Sequence, residues 1–506
     1  MLLVTASKSS IQLTRKNGSP ASKNMDCRSN LPGSFKVFVL IALLMSCTSF
    51  AADSRSPKET RHSQVLILGA GMSGIAAAKT LQQHGIRDFV ILEGYERIGG
   101  RMRHVEFAGT VVELGANWVG GTEHNPIWVL AQKYGLKGAY TMAHPTPGCY
   151  IVRNETGHDV THMDKHEEFQ EAIKNLDSIV EKRRQSGKGD LDAQTGIRLA
   201  GWQAENPVQS TVEYFYYDFS EAIPPHYITC SVEMLTNGSI DSTNGKQYFI
   251  SDPRGYSHIV DEMAQSFLSP DDPRLLLNHT VDVINWDRNG VSVSTKTGDV
   301  FTADYLLVTF SVGVLKSNAV SFKPQLPPQI LEPIYKVAMA NYIKIFLKFP
   351  YRFWDERQYI FYASRRRGYY PVWEDLQVDG GLPDDVSILF VTVTGEEATR
   401  VQFQSEDNTK AEIMEVLRSV YGDGIPEATN ILYKRWGRDP LFYGTYSNPP
   451  IGMTHQDYLA LQTNVSRIYF AGEATHELYF GFVHGAYFSG VERADKLAHD
   501  ILNNKG

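Results

Sequence analysis

A chain of 506 residues with 42% hydrophobic and 21% charged side chains can bury large cores, which excludes a disordered or low-complexity protein. Its formal charge is −8, but residues 1–52 hold six basic residues and one acid, so the rest of the chain stands at −13. That acidity argues against a nucleic-acid partner and favours encounter with a cationic small molecule.

The chain opens on a basic stretch followed by the apolar run Phe35–Phe50, which ends at Ala51-Ala52 before a polar segment. This is the pattern of a secretory signal cut near Ala51 or Ala52, with Met25 as an alternative start. The apolar core is short for a bilayer span, so an uncleaved anchor is the weaker reading. Asn154, Asn237, Asn278 and Asn464 head glycan acceptor triplets compatible with export, and Asn503-Asn-Lys-Gly506 carries no peroxisomal or retention signal. Of the four cysteines, Cys27 and Cys47 lie in the leader; Cys149 and Cys230 either form one bridge or stay as buried thiols, and spacing does not choose.

Residues 64–101 are the most informative segment. The apolar Gln64-Val-Leu-Ile-Leu68 runs into Gly69-Ala-Gly71-Met-Ser-Gly74, and a second apolar strand, Phe89-Val-Ile-Leu, ends at Glu93. A buried strand meeting a glycine-tight turn and a helix N-terminus presents backbone N–H groups to a pyrophosphate. Gly69 allows the turn, Gly71 lets phosphates approach the backbone, Gly74 lets the helix pack on the strand, and Glu93 lies where a carboxylate takes a ribose hydroxyl. Arg97-Ile-Gly99-Gly100-Arg101 comes next, a second glycine turn whose two arginines are expected to add donors to the same phosphates.

Farther on, Phe169, Ile173, Leu176 and Ile179 give residues 163–185 a helical period, and His158, His162 and His166 read as a solvated face rather than a metal site. Strands are predicted at 281–286, 291–295 and 300–310, the first two joined by the hairpin signal Asp287-Arg-Asn-Gly290. In Tyr342-Ile-Lys-Ile-Phe-Leu-Lys348 alternation puts Tyr342, Lys344, Phe346 and Lys348 on one face; by periodicity alone Lys344 is solvated. Arg467-Ile-Tyr-Phe-Ala-Gly472-Glu473 is a strand meeting a glycine and an acid, and a helix is predicted from about Gly485 with Ala486, Val491, Ala494, Leu497, Ala498 and Ile501 as its apolar stripe.

The first turn, the ribose Glu93, Gly99-Gly100-Arg101 and Gly115-Ala-Asn-Trp118 together resemble the flavin-containing amine oxidases. The likeness extends over nearly all of residues 61–500 and is closest to plant polyamine oxidases of the secreted maize type, through Met339–Pro350 and Val483-His-Gly-Ala-Tyr487. It implies a mixed α/β fold of two domains: a Rossmann-type FAD-binding domain from 61–135, 235–318 and 425–506, and a substrate domain of mixed sheet and helices from 136–234 and 319–424. It assigns cofactor contacts to Gly69, Gly71, Gly74, Glu93, Arg101, Trp118, Val281, Trp436 and Glu473. Lys344 matches the family's active-site lysine, Tyr446 and Phe482 the two aromatic residues flanking the substrate amine, and Glu221 a carboxylate at the tunnel mouth. Gly444-Thr445 precedes Tyr446 with no cysteine nearby, so the resemblance implies non-covalent FAD. In secreted plant relatives a Glu stands two residues after the Trp of the GANW segment; here that position is Gly120, and the nearest acid is Glu123. The implied reaction is oxidation of spermine or spermidine by O2 to an aminoaldehyde, an amine and hydrogen peroxide, with 1,3-diaminopropane as the expected amine and back-conversion to spermidine or putrescine as the alternative. A non-catalytic binding protein of the same fold is the rival from another class. The expected protein is an extracellular monomer, with the vacuole or endomembrane lumen as the alternative location, a small-molecule partner and no stable membrane insertion once the signal is removed.

Overall fold

The computed structural model describes residues 60–122, 125–142, 148–230, 246–378, 381–383 and 385–503. The leader, Cys27, Cys47, Glu123 and the Asn237 triplet lie outside the described residues.

The apolar first strand, Arg61–Leu68, forms the middle of an eight-stranded mixed sheet because both of its faces are covered. It pairs in parallel with Val300–Val308 on one side and Phe89–Leu92 on the other, and Ile468–Phe470 pairs in parallel with Leu306–Val308. Val65 and Ile67 face one core with Ile75, Leu81, Ala494 and Leu497 from the helices Met72–Gln83 and Val483–Asn503. Leu66 and Leu68 face a second core with Ile330, Ile334, Tyr458 and Leu461 from the helices Pro328–Lys336 and His455–Leu461. The antiparallel hairpin Val281–Trp286 and Val291–Thr295 extends the sheet, closed by the Asp287 N–H donating to the Gly290 carbonyl at 3.1 Å. The two helices of the first core approach so closely at Gly490 that a Cβ there would lie 2.3 Å from the Ser73 carbonyl oxygen.

A six-stranded sheet runs in the order Asn430–Leu432, Tyr342–Lys348, Ile388–Thr394, Val372–Asp375, Tyr359–Ala363 and Tyr150–Asn154. Its Ile343, Ile345, Leu347, Trp373, Val391 and Val393 pack under the helices Gly395–Phe403 and Glu406–Tyr421. The opposite face carries Lys344, Thr392, Phe390 and Glu374. A three-stranded sheet of Trp118–Gly120, Lys246–Ile250 and Gly138–Met142 brings the GANW segment toward that face. The helix expected at 163–185 is His166–Gln185; it buries Phe169, Ile173 and Leu176, but Val180 rather than Ile179 completes the buried stripe. The last helix begins two residues earlier than expected, at Val483, and Ser489, Gly490 and Arg493 are buried with Ala494 while Ala486 and Val491 are partly exposed.

Cys149 and Cys230 are not joined in a disulfide; Cys230 is buried, with its Sγ 3.9 Å from Asp190 Oδ1. Among the described residues no group of three or more His, Cys, Asp or Glu is placed to hold a metal, and no helix is long and apolar enough to cross a membrane.

Candidate active site

At the first turn each glycine meets a different constraint. Gly69 has φ +107°, and a Cβ there would lie 2.5 Å from Thr309 Oγ1. A Cβ at Gly74 would lie 1.9 Å from the Gly69 carbonyl oxygen, a backbone atom that cannot give way. Gly71 has open space where its Cβ would be, the room a phosphate needs. The helix Met72–Gln83 begins with no side-chain cap and no acid in its first turn, so its positive end faces the cavity unneutralised. Ser73 Oγ is buried there with no partner among the described residues. Glu93 takes the Ala70 N–H on Oε2 at 2.7 Å and the Tyr95 N–H on Oε1 at 2.9 Å; burial raises its pKa and these donors oppose the rise. The uncapped helix N-terminus, the open glycine and the buried unpartnered hydroxyl suit a dinucleotide such as FAD.

The second glycine turn docks on the first through the Gly99 N–H, which donates to the Ala70 carbonyl at 2.9 Å. Its two arginines part company. Arg97 donates to the carbonyls of Ile98, Gly100 and Met102, so its guanidinium shapes the turn and does not reach for phosphates, against the expectation from sequence. Arg101 reaches across to the Thr445 carbonyl at 2.8 Å and pairs with Glu473 at 2.7 Å. Glu473 also accepts the Gly481 N–H at 2.7 Å and the Ser447 hydroxyl, so one buried carboxylate ties Arg101, Ser447 and its own loop together.

A cavity of about 410 Å³ runs from this turn to the face of the six-stranded sheet. Its wall contains Gly69, Gly71, Glu93, Arg101, Trp118, Val281, Trp436 and Glu473, and also Glu221, Lys344, Tyr446 and Phe482. Gly74 alone of the expected residues is not in the wall, consistent with a packing role. Asn117, Tyr342, Tyr359 and Thr309 line it too, beyond the residues expected from sequence. Asn117 lies inside the GANW segment, and Tyr342 shares the alternating face of Lys344, so both carried a signal.

Lys344 is buried, not solvated. Its Nζ donates to the Gly115 carbonyl at 2.7 Å, Asn117 Oδ1 at 2.6 Å and the Glu113 carbonyl at 3.3 Å, and lies 5.1 Å from the Trp118 ring centroid. Burial lowers the pKa of this ammonium, and the carboxyls of Glu374 and Glu113 hold it back from falling further. A lysine so placed exchanges a proton at milder pH than a surface lysine. Trp436, also buried, donates its indole N–H to the Leu114 carbonyl at 3.1 Å.

Tyr446 and Phe482 stand in the wall beside each other's chain segments: a Cβ at Gly481 would touch Tyr446 Cδ2 at 3.4 Å. The Tyr446 hydroxyl donates to the Ser220 carbonyl at 2.9 Å, and its ring lies 6.3 Å from that of Tyr342. Gly120 packs beneath Phe482, whose Cε1 would be 3.1 Å from a Cβ at that position. Glu221 comes just after a π-helical turn, Phe215–Phe219, and its carbonyl accepts the Asn448 amide. The turn is anchored by Arg367, which pairs with Asp218 at 2.6 Å and Glu213 at 3.0 Å. Such single turns add one residue to a helix and re-aim the side chains beyond it.

The family model described as flavin containing amine oxidoreductase matches residues 72–498. The chain is 38% identical to polyamine oxidase 1 of Zea mays over 92% of its own length and 95% of that protein, and 37% identical to polyamine oxidase 6 of Oryza sativa subsp. japonica over 92% and 96%. A solved putrescine oxidase bound to putrescine superposes with a TM-score of 0.69 at 20% identity, covering 88% of this chain and 100% of that one, a likeness of fold. The chain belongs to the flavin-containing amine oxidoreductase family, and it is a flavin-dependent amine oxidase.

Proposed function

We propose that this protein oxidises spermine and spermidine at a secondary amine, using FAD held without a covalent link. The observation that carries the reading is the continuity of one cavity from the glycine turn and Glu93 to Lys344, Tyr446 and Phe482. Bound FAD would accept two electrons from the C–H bond beside the nitrogen and pass them to O2, giving hydrogen peroxide. The chain's own residues do the rest. Arg101, Glu93 and the turn amides would hold the cofactor, and Trp118, Val281, Trp436 and Glu473 would complete its surroundings. Tyr446 and Phe482 would hold the carbon chain between apolar rings and exclude water, Glu221 would attract a distal ammonium, and Lys344 would exchange a proton at Nζ. The absence of cysteine at Gly444-Thr445 supports non-covalent binding.

Terminal cleavage giving an aminoaldehyde and 1,3-diaminopropane is the mode we favour, supported by the signal-like leader, which also supports secretion to the extracellular space. On this reading segments 61–135, 235–318 and 425–506 serve the cofactor, and 136–234 with 319–424 serve the substrate. Incubating the purified protein with spermine or spermidine, following peroxide and weighing the amine products tests the proposal. Peroxide with 1,3-diaminopropane supports it, spermidine or putrescine as product overturns the cleavage mode, and no peroxide overturns the polyamine substrate. Protein purified without yellow flavin absorbance would favour a binding protein of the same fold.

A further inference from the structure

Glu374 is a buried carboxyl that the proposed amine oxidation does not use. Lys344 stands opposite Thr392, Thr392 stands opposite Val372, and Glu374 is two residues beyond Val372. Side chains directly opposite, and those two apart on one strand, share a face, so Glu374 and Lys344 issue from the same cavity-side surface two strands apart. Tyr359, opposite Glu374 on its other side, lines the cavity with Tyr342 and Lys344, while Glu374 sits behind that wall.

Glu374 is 3% exposed, and its Oε1 is buried with no hydrogen-bond partner among the described residues. A carboxylate is costly in that setting, and a carboxylic acid is not. The titratable groups facing it are Lys344 and Tyr342 from one strand and Tyr359 from another, with Cys149 beyond Tyr359 and Glu113 beyond Lys344. One ammonium therefore stands among two buried carboxyls, and one of the two must keep a proton for the group to be neutral. Glu113 is the better seat for the negative charge: its Oε2, like Glu374 Oε1, is buried without a partner among the described residues, but its Oε1 accepts the Tyr256 N–H at 2.5 Å.

We propose that Glu374 is a positioning residue for Lys344, which keeps the spare proton of the cluster at neutral pH and resupplies Nζ when Lys344 gives a proton to the cavity. In that transfer the O–H bond of the Glu374 carboxyl breaks and an N–H bond forms at Nζ, leaving a carboxylate beside an ammonium with the total charge unchanged. Thr392 stands opposite Lys344, and its hydroxyl lies 3.4 Å from that of Tyr342, a residue that faces Glu374. Burial pushes the Glu374 carboxyl up to about 8, with Lys344 opposing the rise, which agrees with a proton retained at neutral pH. The inference rests on the placement of Lys344 in the reacting cavity and not on which amine enters it.

Infrared difference spectroscopy of the purified full chain across a pH titration needs no substrate and reads the proton directly. The unmodified protein should show the carbonyl stretch of a protonated buried carboxylic acid at neutral pH, fading near pH 8. Glu374→Gln should lose the component of that signal that fades near pH 8, Glu113→Gln should keep it, and Glu374→Asp should restore it. With any amine that is turned over, the alkaline limb of the pH–rate profile should move to lower pH in Glu374→Gln and return in Glu374→Asp. No such signal in the unmodified protein, undiminished signal in Glu374→Gln, or an unmoved alkaline limb would overturn the proposal. The infrared result stands even if spermine and spermidine prove not to be substrates, so the two failures are distinguishable.

Discussion

Arg101 and Glu473, 372 residues apart in the chain, meet in an ion pair of 2.7 Å that ties the second glycine turn to the acid after the late strand Ile468–Phe470. The carboxylate is 5% exposed and the guanidinium 25%, so the pair is well shielded on one side only. Removing one partner of a fully buried pair costs about 3–5 kcal/mol, and the partial exposure of Arg101 puts this one below that range. Glu473→Gln keeps the shape and removes the charge. It should lower the Tm of the flavin-free protein and weaken flavin retention through gel filtration; a Tm within about 1 °C of the parent would show that the pair is not a tie.

The glycines of the first turn should separate folding from cofactor binding. Gly74→Ala puts a methyl 1.9 Å from a backbone oxygen and should destabilise the fold, whereas Gly71→Ala meets nothing within 4 Å in the protein and should fold normally. Gly71→Ala should nonetheless retain less flavin, because the methyl enters space left for phosphate. Thermal melts read the first effect, and the ratio of flavin to protein absorbance reads the second. Full flavin content in Gly71→Ala would contradict the placement of the phosphates.

Lys344→Met removes the ammonium but keeps an unbranched chain of similar length. Loss of a positioned proton-transfer group typically costs 10²–10⁴ in rate, so turnover should fall by about 10²-fold or more with flavin content preserved. Steady-state peroxide assays alongside absorbance spectra check both halves, and unchanged turnover would remove Lys344 from the chemistry.

Gly120 and Phe482 should be coupled. Gly120→Ala brings a methyl to 3.1 Å from the ring, which must shift by a few tenths of an ångström, so KM should rise with little change in Tm. In a double-mutant cycle with Phe482→Ala the coupling should be about 0.5–3 kcal/mol in kcat/KM, and strict additivity would mean that the ring does not rest on Gly120.

Stability should depend on pH through Glu374. Its folded pKa of about 8 lies above the ordinary 4.5, so between those values the folded state holds more protons than the unfolded. The contribution of Glu374 to stability is then full below pH 4.5 and is lost as pH rises toward 8. Glu374→Gln should flatten that slope in melts taken across the window, and a parallel slope in both proteins would contradict it.

Much of the fold and site was legible locally. The strand, turn, helix and acid at 64–93 are specified by near neighbours, and so is the hairpin at 281–295 through Asp287 and Gly290. Lys344 was not: alternation says which residues share a face but not what covers that face. Its acceptors come from residues 113, 115 and 117, about 230 positions earlier. Arg97 misled for a related reason, since a charge in a glycine turn has the same spacing whether it turns outward to phosphate or inward to three carbonyls. The π-helical turn before Glu221 left no mark because one extra residue in a helix changes no composition. Glu374 sits in Val-Trp-Glu-Asp, where every residue is buried and no alternation marks the acid.

The most direct test of a flavin site opening on an amine chamber is anaerobic mixing of the purified protein with spermidine while its visible spectrum is recorded. A yellow protein should lose its flavin absorbance on mixing and regain it, with hydrogen peroxide formed, when O2 is admitted. A yellow protein whose spectrum does not change with spermidine or spermine would contradict this expectation.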